Sequence, residues 1–452
     1  MISSRGEIRR LTGWRLALVT FCLLGGATLI VASTAPASFL ARGFGVGGVV
    51  KLRGVVEDPS KLAIGPGGAI FTLGRDGCKS NCAPRLTVSK LRLDGSLDRR
   101  YGIGGTATTT LEVDTDAVLA VDHRGRALVM TRKGSGGTPA SIVRLDPGGD
   151  PDPSFGTDGV AITPSYGNLP ELSLEPARGG LYVVASWQRS GFVRDVPRSG
   201  VTSVISIARF DADGFVDRGY GSDGEFRRDM PEVTESGAVP ERRSGGMAVF
   251  ATTCCGQERL PAAFRVTARG RLDRRFGQWQ GFGGIPRVDS YGVTAAVARR
   301  NGKIDLYGSA VLQGKRGRGQ IGFAVRLRRD GRPFGRFGRR HGIRFLSWPV
   351  TEAALDGRGR TVALSHDFGS DFGVFRLRPG GALDRSFASG GLATMPFPPR
   401  SENISLGLSR YRPVVLDEAP EACAFRGPPM CSPANPTVVA FRAGPRGKRA
   451  RQ

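Results

Sequence analysis

Apolar residues along this chain fall in short β-branched runs, such as "GVTAAVA" (292–298) and "TVVAF" (437–441), and nowhere sustain the 3.6-residue period of a long globular helix. The runs come in a fixed order. A small-apolar strand enters a glycine-containing hairpin, as in "AVDHRGRALVM", "LEPARGGLYVV", "VARRNGKIDLY" and "ALDGRGRTVAL". After a loop of variable length comes a strand ending in arginine and an apolar residue, as in "SIVRLDP", "SIARFDA" and "FAVRLRR". A turn follows, and then a short strand such as "VAITP" or "LATMP". Four strands per period predict the blade of a β-propeller.

The turn carries the most regular signature. An aromatic residue, usually followed by glycine, stands three residues after an aspartate: Asp98 and Tyr101, Asp152 and Phe155, Asp217 and Tyr220, Asp273 and Phe276, Asp384 and Phe387. Phe337 belongs to the same series, but Phe334 replaces its aspartate, so that turn must be held by other means. The expected roles are structural. Each aspartate accepts hydrogen bonds from its own turn, and each aromatic fills the space between neighbouring blades.

The ends of the array complete each other. "RGFGVGGVV" contains Phe44 and the strand after it, but no strand before it. "VVAFRAGPRG", close to residue 452, is the first half of a unit that lacks its aromatic. A ring that closes by sharing one blade between both ends needs this division. The expectation is an all-β, seven-bladed propeller whose closing blade combines N- and C-terminal strands.

The segments "RLDGSLDRRYGIGG", "RFDADGFVDRGYGSDG" and "RLRPGGALDRSFASGG" resemble the delta-60 repeat family of exported bacterial proteins. The resemblance extends over residues 38–452 and implies a propeller-like array with no general activity attached to it. "RVTARGRLDRRFG" and "RLRRDGRPFGRFG" depart from the pattern at one or more positions.

Composition places the array outside the cytoplasm. Arg5, Arg9, Arg10 and Arg15 precede an apolar run from Leu16 to Ala32, and "STAPAS" offers a small-x-small cleavage site. Residues 1–37 are expected to be a signal peptide or an uncleaved anchor, the one segment to touch a membrane. The residues after Arg9-Arg10 do not continue a twin-arginine signal, and Cys22 lacks the small residues that precede a lipid-modified cysteine. Residues 38–443 form the propeller and 444–452 a basic tail. The chain has 65 basic and 40 acidic residues, a formal charge of +25, spread through nearly every segment without a basic helix or stripe. That distribution suits anionic envelope polymers or acidic proteins as partners and carries no nucleic-acid motif.

Six cysteines follow the leader, an even number in an exported chain. Cys78, Cys82, Cys254, Cys255, Cys423 and Cys431 all fall in loops before the arginine-containing strand. Local bonds Cys78–Cys82 and Cys423–Cys431, a strained vicinal Cys254–Cys255 bond, and a bond across the ring closure all fit the spacing.

Candidate chemistry is sparse. Asp211, Asp213, Asp217 and Asp223 suggest a calcium loop, but the terminal glutamate of such a loop is missing and other repeats carry arginine instead. Of three histidines, His123 lies in a hairpin turn and His341 in a motif loop. His366, near Asp367 and Asp371, is the best placed, and its expected state is a loop residue. No cofactor motif, nucleophile elbow or metalloprotease helix is present. The expected function is that of a non-catalytic, monomeric binding or scaffold module at the cell envelope. The alternative is a propeller lyase or glycoside hydrolase with a loop-built carboxylate site.

Overall fold

Each predicted period becomes one four-stranded antiparallel sheet. The computed structural model describes residues 40–442 except 53–56, 77–83, 113–116, 133–138, 165–170, 178–179, 189–202, 242–243, 256–257, 278, 281–287, 315–316, 339–341, 367–370, 397–403, 411, 418–421, 424–430 and 433–436. Blade 1 comprises Glu57–Ile64, Ile70–Arg75, Arg85–Leu91 and Thr106–Glu112, and blade 2 Ala117–Val121, Ala127–Arg132, Ala140–Leu145 and Val160–Ile162. Blade 3 comprises Glu171–Ala177, Gly180–Gln188, Ser203–Phe210 and Glu225–Met230. Blade 4 runs through Glu232–Pro240, Met247–Cys255, Glu258–Val266 and Trp279–Gln280, and blade 5 through Val288–Ala298, Ile304–Gly314, Gly317–Leu327 and Ile343–Leu346. Blade 6 is Glu352–Leu355, Thr361–His366, Asp371–Leu377 and Leu392–Pro396.

Blade 7 closes the ring. Its first three strands, Ile404–Ser409, Arg412–Asp417 and Thr437–Ala440, come from the end of the chain, and its outer strand Val49–Lys51 comes from the beginning. Val49, Val50 and Lys51 pair with Val439, Val438 and Thr437, and a bridge between Leu40 and Phe441 extends the seam. The shared closing blade is therefore as the split motif predicts.

Seven apolar clusters among the described residues fill the seven seams between blades, and each holds one motif aromatic. Tyr101 packs between blades 1 and 2, Phe155 between 2 and 3, and Tyr220 between 3 and 4. Phe276, Phe337 and Phe387 occupy the next three seams, and Phe44 seals blade 7 against blade 1. These seven rings are among the most deeply buried side chains of the molecule. Burial of each ring contributes roughly 1.5–3 kcal/mol relative to exposure.

The meander puts two sets of turns on one face of the ring: the hairpins between first and second strands, and the aromatic turns between third and fourth strands. We call it the turn face. On it, blades are joined by a repeated backbone bond. Gly102 N donates to Gly148 O of blade 2 (2.5 Å), Gly156 N to Asp213 O of blade 3 (2.6 Å), and Gly221 N to Arg269 O of blade 4 (3.0 Å). Across the closure Gly45 N donates to Asp94 O of blade 1 (2.6 Å). Such close approach excludes side chains. At Gly149, where φ is +99°, a Cβ would stand 2.7 Å from Gly102 N.

Two of the seven rings are tyrosines, and the buried hydroxyls of Tyr101 and Tyr220 have no hydrogen-bond partner among the described residues. Burial pushes both phenols well above the ordinary tyrosine range. An unpaired buried hydroxyl costs roughly 1–3 kcal/mol. Tyr101→Phe and Tyr220→Phe should therefore each stabilise the fold, by about 1 kcal/mol, in urea unfolding. A loss of stability in either variant would show that its hydroxyl is bonded.

Candidate functional site

The third strand of most blades ends in a cation that the turn aspartate holds. Arg144 Nε donates to Asp152 Oδ2 (2.7 Å) and Arg376 Nε to Asp384 Oδ2 (2.8 Å). Arg209 lies 3.3 Å from Asp217, Lys90 lies 3.6 Å from Asp98, and Arg265 lies 3.8 Å from Asp273. The aspartates also accept from their own turns, as Ser154 N to Asp152 Oδ1 (3.0 Å) and Gly219 N to Asp217 Oδ1 (3.1 Å) show. Partial burial alone would raise the Asp152 and Asp384 carboxyls; bonds from Ser154 and Arg144, and from Ser386 and Arg376, hold them below the usual range.

The same cations reach the next blade. Lys90 Nζ donates to Pro147 O (3.1 Å), Arg144 Nη1 to Ala212 O (2.5 Å), Arg209 Nη1 to Ala268 O (3.2 Å) and Arg265 Nη1 to Arg329 O (3.2 Å). Arg144, Arg265, Arg326 and Arg376 also stack over the aromatic ring of their own turn, with the guanidinium carbon 4.2–4.9 Å from the centroid. The sequence pattern shows this arginine, but its partners come from two blades and are not visible in linear order.

Blade 5 breaks the rule in two places. Phe334 stands where the other turns have aspartate, and Arg299 stands in its hairpin where blades 2, 4 and 6 have Asp122, Glu241 and Asp356. One fully buried carboxylate, Asp305 on the second strand, serves both Arg326, which lacks its turn aspartate, and Arg299, which stands in the place of the hairpin acid. Arg299 Nε donates to Asp305 Oδ2 (2.6 Å), and Arg326 donates through Nε to Oδ1 (2.5 Å) and Nη2 to Oδ2 (2.8 Å). This is how the turn without aspartate is held.

The exchange leaves the blade 5 turns poor in carboxylates. Residues 326–344 contain eight arginines and one aspartate, whereas residues 144–162 of blade 2 contain one arginine and four aspartates. Residues 265–275 of blade 4 add five arginines against Asp273. Charge that is diffuse in the sequence is thus sorted by the fold, with a basic sector on blades 4 and 5. Lys303 registers the field: partial burial and the charges of Arg326 and Arg328 hold its ammonium below the usual lysine range.

Two cavities open in this sector. One of about 330 Å³ lies at the seam of blades 4 and 5, among Glu241, Ser244, Arg265, Arg299, Arg300 and Arg329. The other, about 550 Å³, lies among Asn301, Lys303, Arg328, Arg329, Phe334 and Arg336. The Lys303 ammonium sits 3.5 Å from the centre of the Phe334 ring. A third cavity of about 790 Å³ occupies the mouth of the ring, between the hairpins of blades 1 to 4. Its polar wall is internally paired: Asp122 accepts from Arg126 Nε (2.7 Å), Tyr182 donates to Gly245 O (2.9 Å) and Ser244 to Glu241 Oε2 (2.7 Å).

Two carboxyls that sequence reading missed lie beside the axis. Glu175 and Glu352 sit on first strands, in register with Tyr182 and Leu364, whose side chains pack into seams 3–4 and 6–7. Burial pushes Glu175 up to about 8. Burial also raises Glu352, to about 7, against the bond it accepts from Leu406 N (2.7 Å). Neither carries a sequence signature, because only ring geometry puts a first-strand glutamate beside the axis.

The remaining candidates do not converge. His123 is exposed on its hairpin and lines the mouth cavity. His366 is the last residue of a strand, paired through its backbone with Phe372, and so is not the expected loop residue. His341, Asp367, Cys78, Cys82 and residues 1–37 and 444–452 lie outside the described residues. Cys254 and Cys255 end a strand of blade 4 and pair with Arg259 and Glu258. Cys423 and Cys431 face each other in the register of a small ribbon in the blade 7 loop. Asp211 accepts from Asp213 N (3.0 Å) and Phe215 N (2.9 Å), as a turn-forming aspartate does. Among the described residues, no three histidine, cysteine or acidic side chains gather as a metal site requires.

The chain is a seven-bladed β-propeller. No protein-family model and no curated protein matches its sequence. Solved structures align with it at low identity. The polysaccharide lyase Uly1 aligns at a TM-score of 0.47 and 8% identity, over 86% of this chain and 90% of its own. The propeller domain of the trilobed protease of Pyrococcus furiosus aligns at 0.45 and 11%, over 85% and 93%. The acylaminoacyl peptidase of Pyrococcus horikoshii aligns at 0.45 and 11%, over 86% of this chain and 52% of that one.

Asp305→Asn should cost about 3–5 kcal/mol in chemical denaturation, since it leaves two buried arginines without their carboxylate. A cost below about 1 kcal/mol, the size of a surface ion pair, would contradict the shared role. Glu175 gives a pH test. Its folded pKa lies above the ordinary carboxyl value, so the folded state holds the proton more tightly, and this group's contribution falls as pH rises from about 4.5 to about 8. Glu175→Gln should therefore raise the melting temperature more at pH 8 than at pH 5. An equal shift at both would refute the assignment.

Proposed function

We propose that the protein is a non-catalytic binding module at the cell envelope, which holds an anionic polymer against the turn face of blades 4 and 5. The observation that carries this reading is the basic sector left where blade 5 gives up two carboxylates. Its outer cations, Arg300, Arg328, Arg329, Arg332 and Arg336, are exposed, and the acidic turns of blade 2 leave the face strongly polarised. Such a field attracts and orients a polyanion. Among the described residues, the ring that lies with these cations in the cavity lining, Phe334, is under Lys303. Recognition through charge along a polymer, rather than through stacked bases, follows from that arrangement.

The same reading takes residues 1–37 as the export leader and the array as one of delta-60 type. The enzyme alternative, a lyase or glycoside hydrolase, requires carboxyls brought together at one locus. Glu175 and Glu352, the strongly shifted carboxyls, belong to different seams, which favours binding.

The test is binding of the full chain to polygalacturonate and to dextran sulfate, with neutral dextran as control, over a salt series. Replacing Arg328, Arg332 and Arg336 by glutamate should weaken polyanion binding at least about tenfold, or 1.4 kcal/mol. Replacing Arg99 and Arg100 of blade 1 should have little effect. Equal losses in both variants would mean that diffuse charge, not the sector, binds the polymer.

A further inference from the structure

Arg265 differs from its counterparts in one bond. In blades 2, 5 and 6 the Nε of the equivalent arginine donates to a carboxylate, Asp152, Asp305 or Asp384. Arg265 is nine-tenths buried, yet its Nε has no hydrogen-bond partner among the described residues. Its Nη atoms are already committed, Nη1 to Arg329 O (3.2 Å) and Nη2 to Gly302 O (2.9 Å), with Glu241 Oε1 2.8 Å from Nη2. The guanidinium is therefore fixed in place by blade 5, with one donor left over. A buried donor of this kind is costly unless something accepts from it.

That arginine forms a wall of the 330 Å³ cavity, whose rim carries Arg300 and Arg329. Arg329 is itself steadied by a bond from its Nε to Asn301 O (2.9 Å). The two other charged groups in the lining are already paired: Glu241 with Arg265 and Ser244, and Arg299 with Asp305. Uncommitted positive charge thus borders the space at Arg300 in the hairpin of blade 5 and at Arg329 in its turn, while from a third direction, the third strand of blade 4, Arg265 offers its spare Nε donor.

We propose that this cavity is an oxyanion site for a phosphate or sulfate group borne on the polymer. A carboxylate offers two oxygens in one plane, whereas a tetrahedral group offers three, matching donors that converge from three elements. The cavity also exceeds the group itself, so that part of its bearer fits inside. The assignment deepens the binding-module reading by naming the group that is held, and rests on that reading only for the source of the ligand.

The test is calorimetric titration of the full chain with inorganic phosphate, inorganic sulfate and acetate, at ionic strength held constant with sodium chloride. A saturable single site for phosphate or sulfate but not acetate is expected, weakened about tenfold in Arg300→Ala and Arg329→Ala. Arg300 is exposed and its side chain makes no bond among the described residues, so its variant should fold normally. Arg100→Ala on blade 1 should bind as the parent does. Tighter phosphate than sulfate binding would indicate a phosphorylated bearer, and the reverse a sulfated one. Equal heats with acetate, or an unaltered site in Arg300→Ala, would overturn the pocket. Saturable small-anion binding by a protein that ignores every polymer would support the pocket and sink the polymer reading, and polymer binding without a saturable anion site would do the opposite.

Discussion

A blade of four short strands has two apolar faces and cannot bury either by itself, so everything in this molecule depends on how one blade is fastened to the next. The fastening is a third-strand cation with three obligations. It stacks on an aromatic ring, pairs with the aspartate of its own turn, and donates to a carbonyl of the following turn, as Arg144 does with Phe155, Asp152 and Ala212. The ring supplies the apolar contact and the guanidinium the direction. Because the donor always belongs to the earlier blade, the contacts run one way around the circle.

Closing such a circle from two chain ends requires a substitute. The register that aligns Val439 with Val49 puts Ala440 where blade 6 has Arg376, so the closing blade has no cation at the standard position. Arg412, from the preceding strand, takes over and donates Nη1 to Leu93 O of blade 1 (3.3 Å). Blade 5 solves a different deficit by lending Asp305 to two arginines. The first substitution only preserves the ring. The second frees cations toward solvent, and a binding surface arises from a structural repair.

How much of this could be seen in the sequence depended on whether a feature was periodic. The blades, the seven aromatics and the split closing unit repeat, and repetition identifies them without any knowledge of contacts. Phe334 was visible as a gap in the series, but Asp305 was not visible as its remedy, because a lone aspartate inside an apolar strand has no signature until Arg299 and Arg326 are folded onto it. The basic sector was hidden for the same reason. Arginine is common throughout, and only the count of carboxylates on one face, blade against blade, separates 326–344 from 144–162. Glu175 and Glu352 look like any strand glutamate until the ring curves around them.

The closing seam has a mechanical character that its thermodynamics does not convey. Val49–Lys51 lies antiparallel to Thr437–Val439, and the Leu40–Phe441 bridge stands at the end of the seam nearest both exits of the chain, where Arg442 Nε also holds Leu40 O (3.0 Å). Tension between the two ends would therefore load these bonds one after another, as a zip opens, instead of shearing them together. The ring would yield at a small force applied across this seam, and always at the same blade.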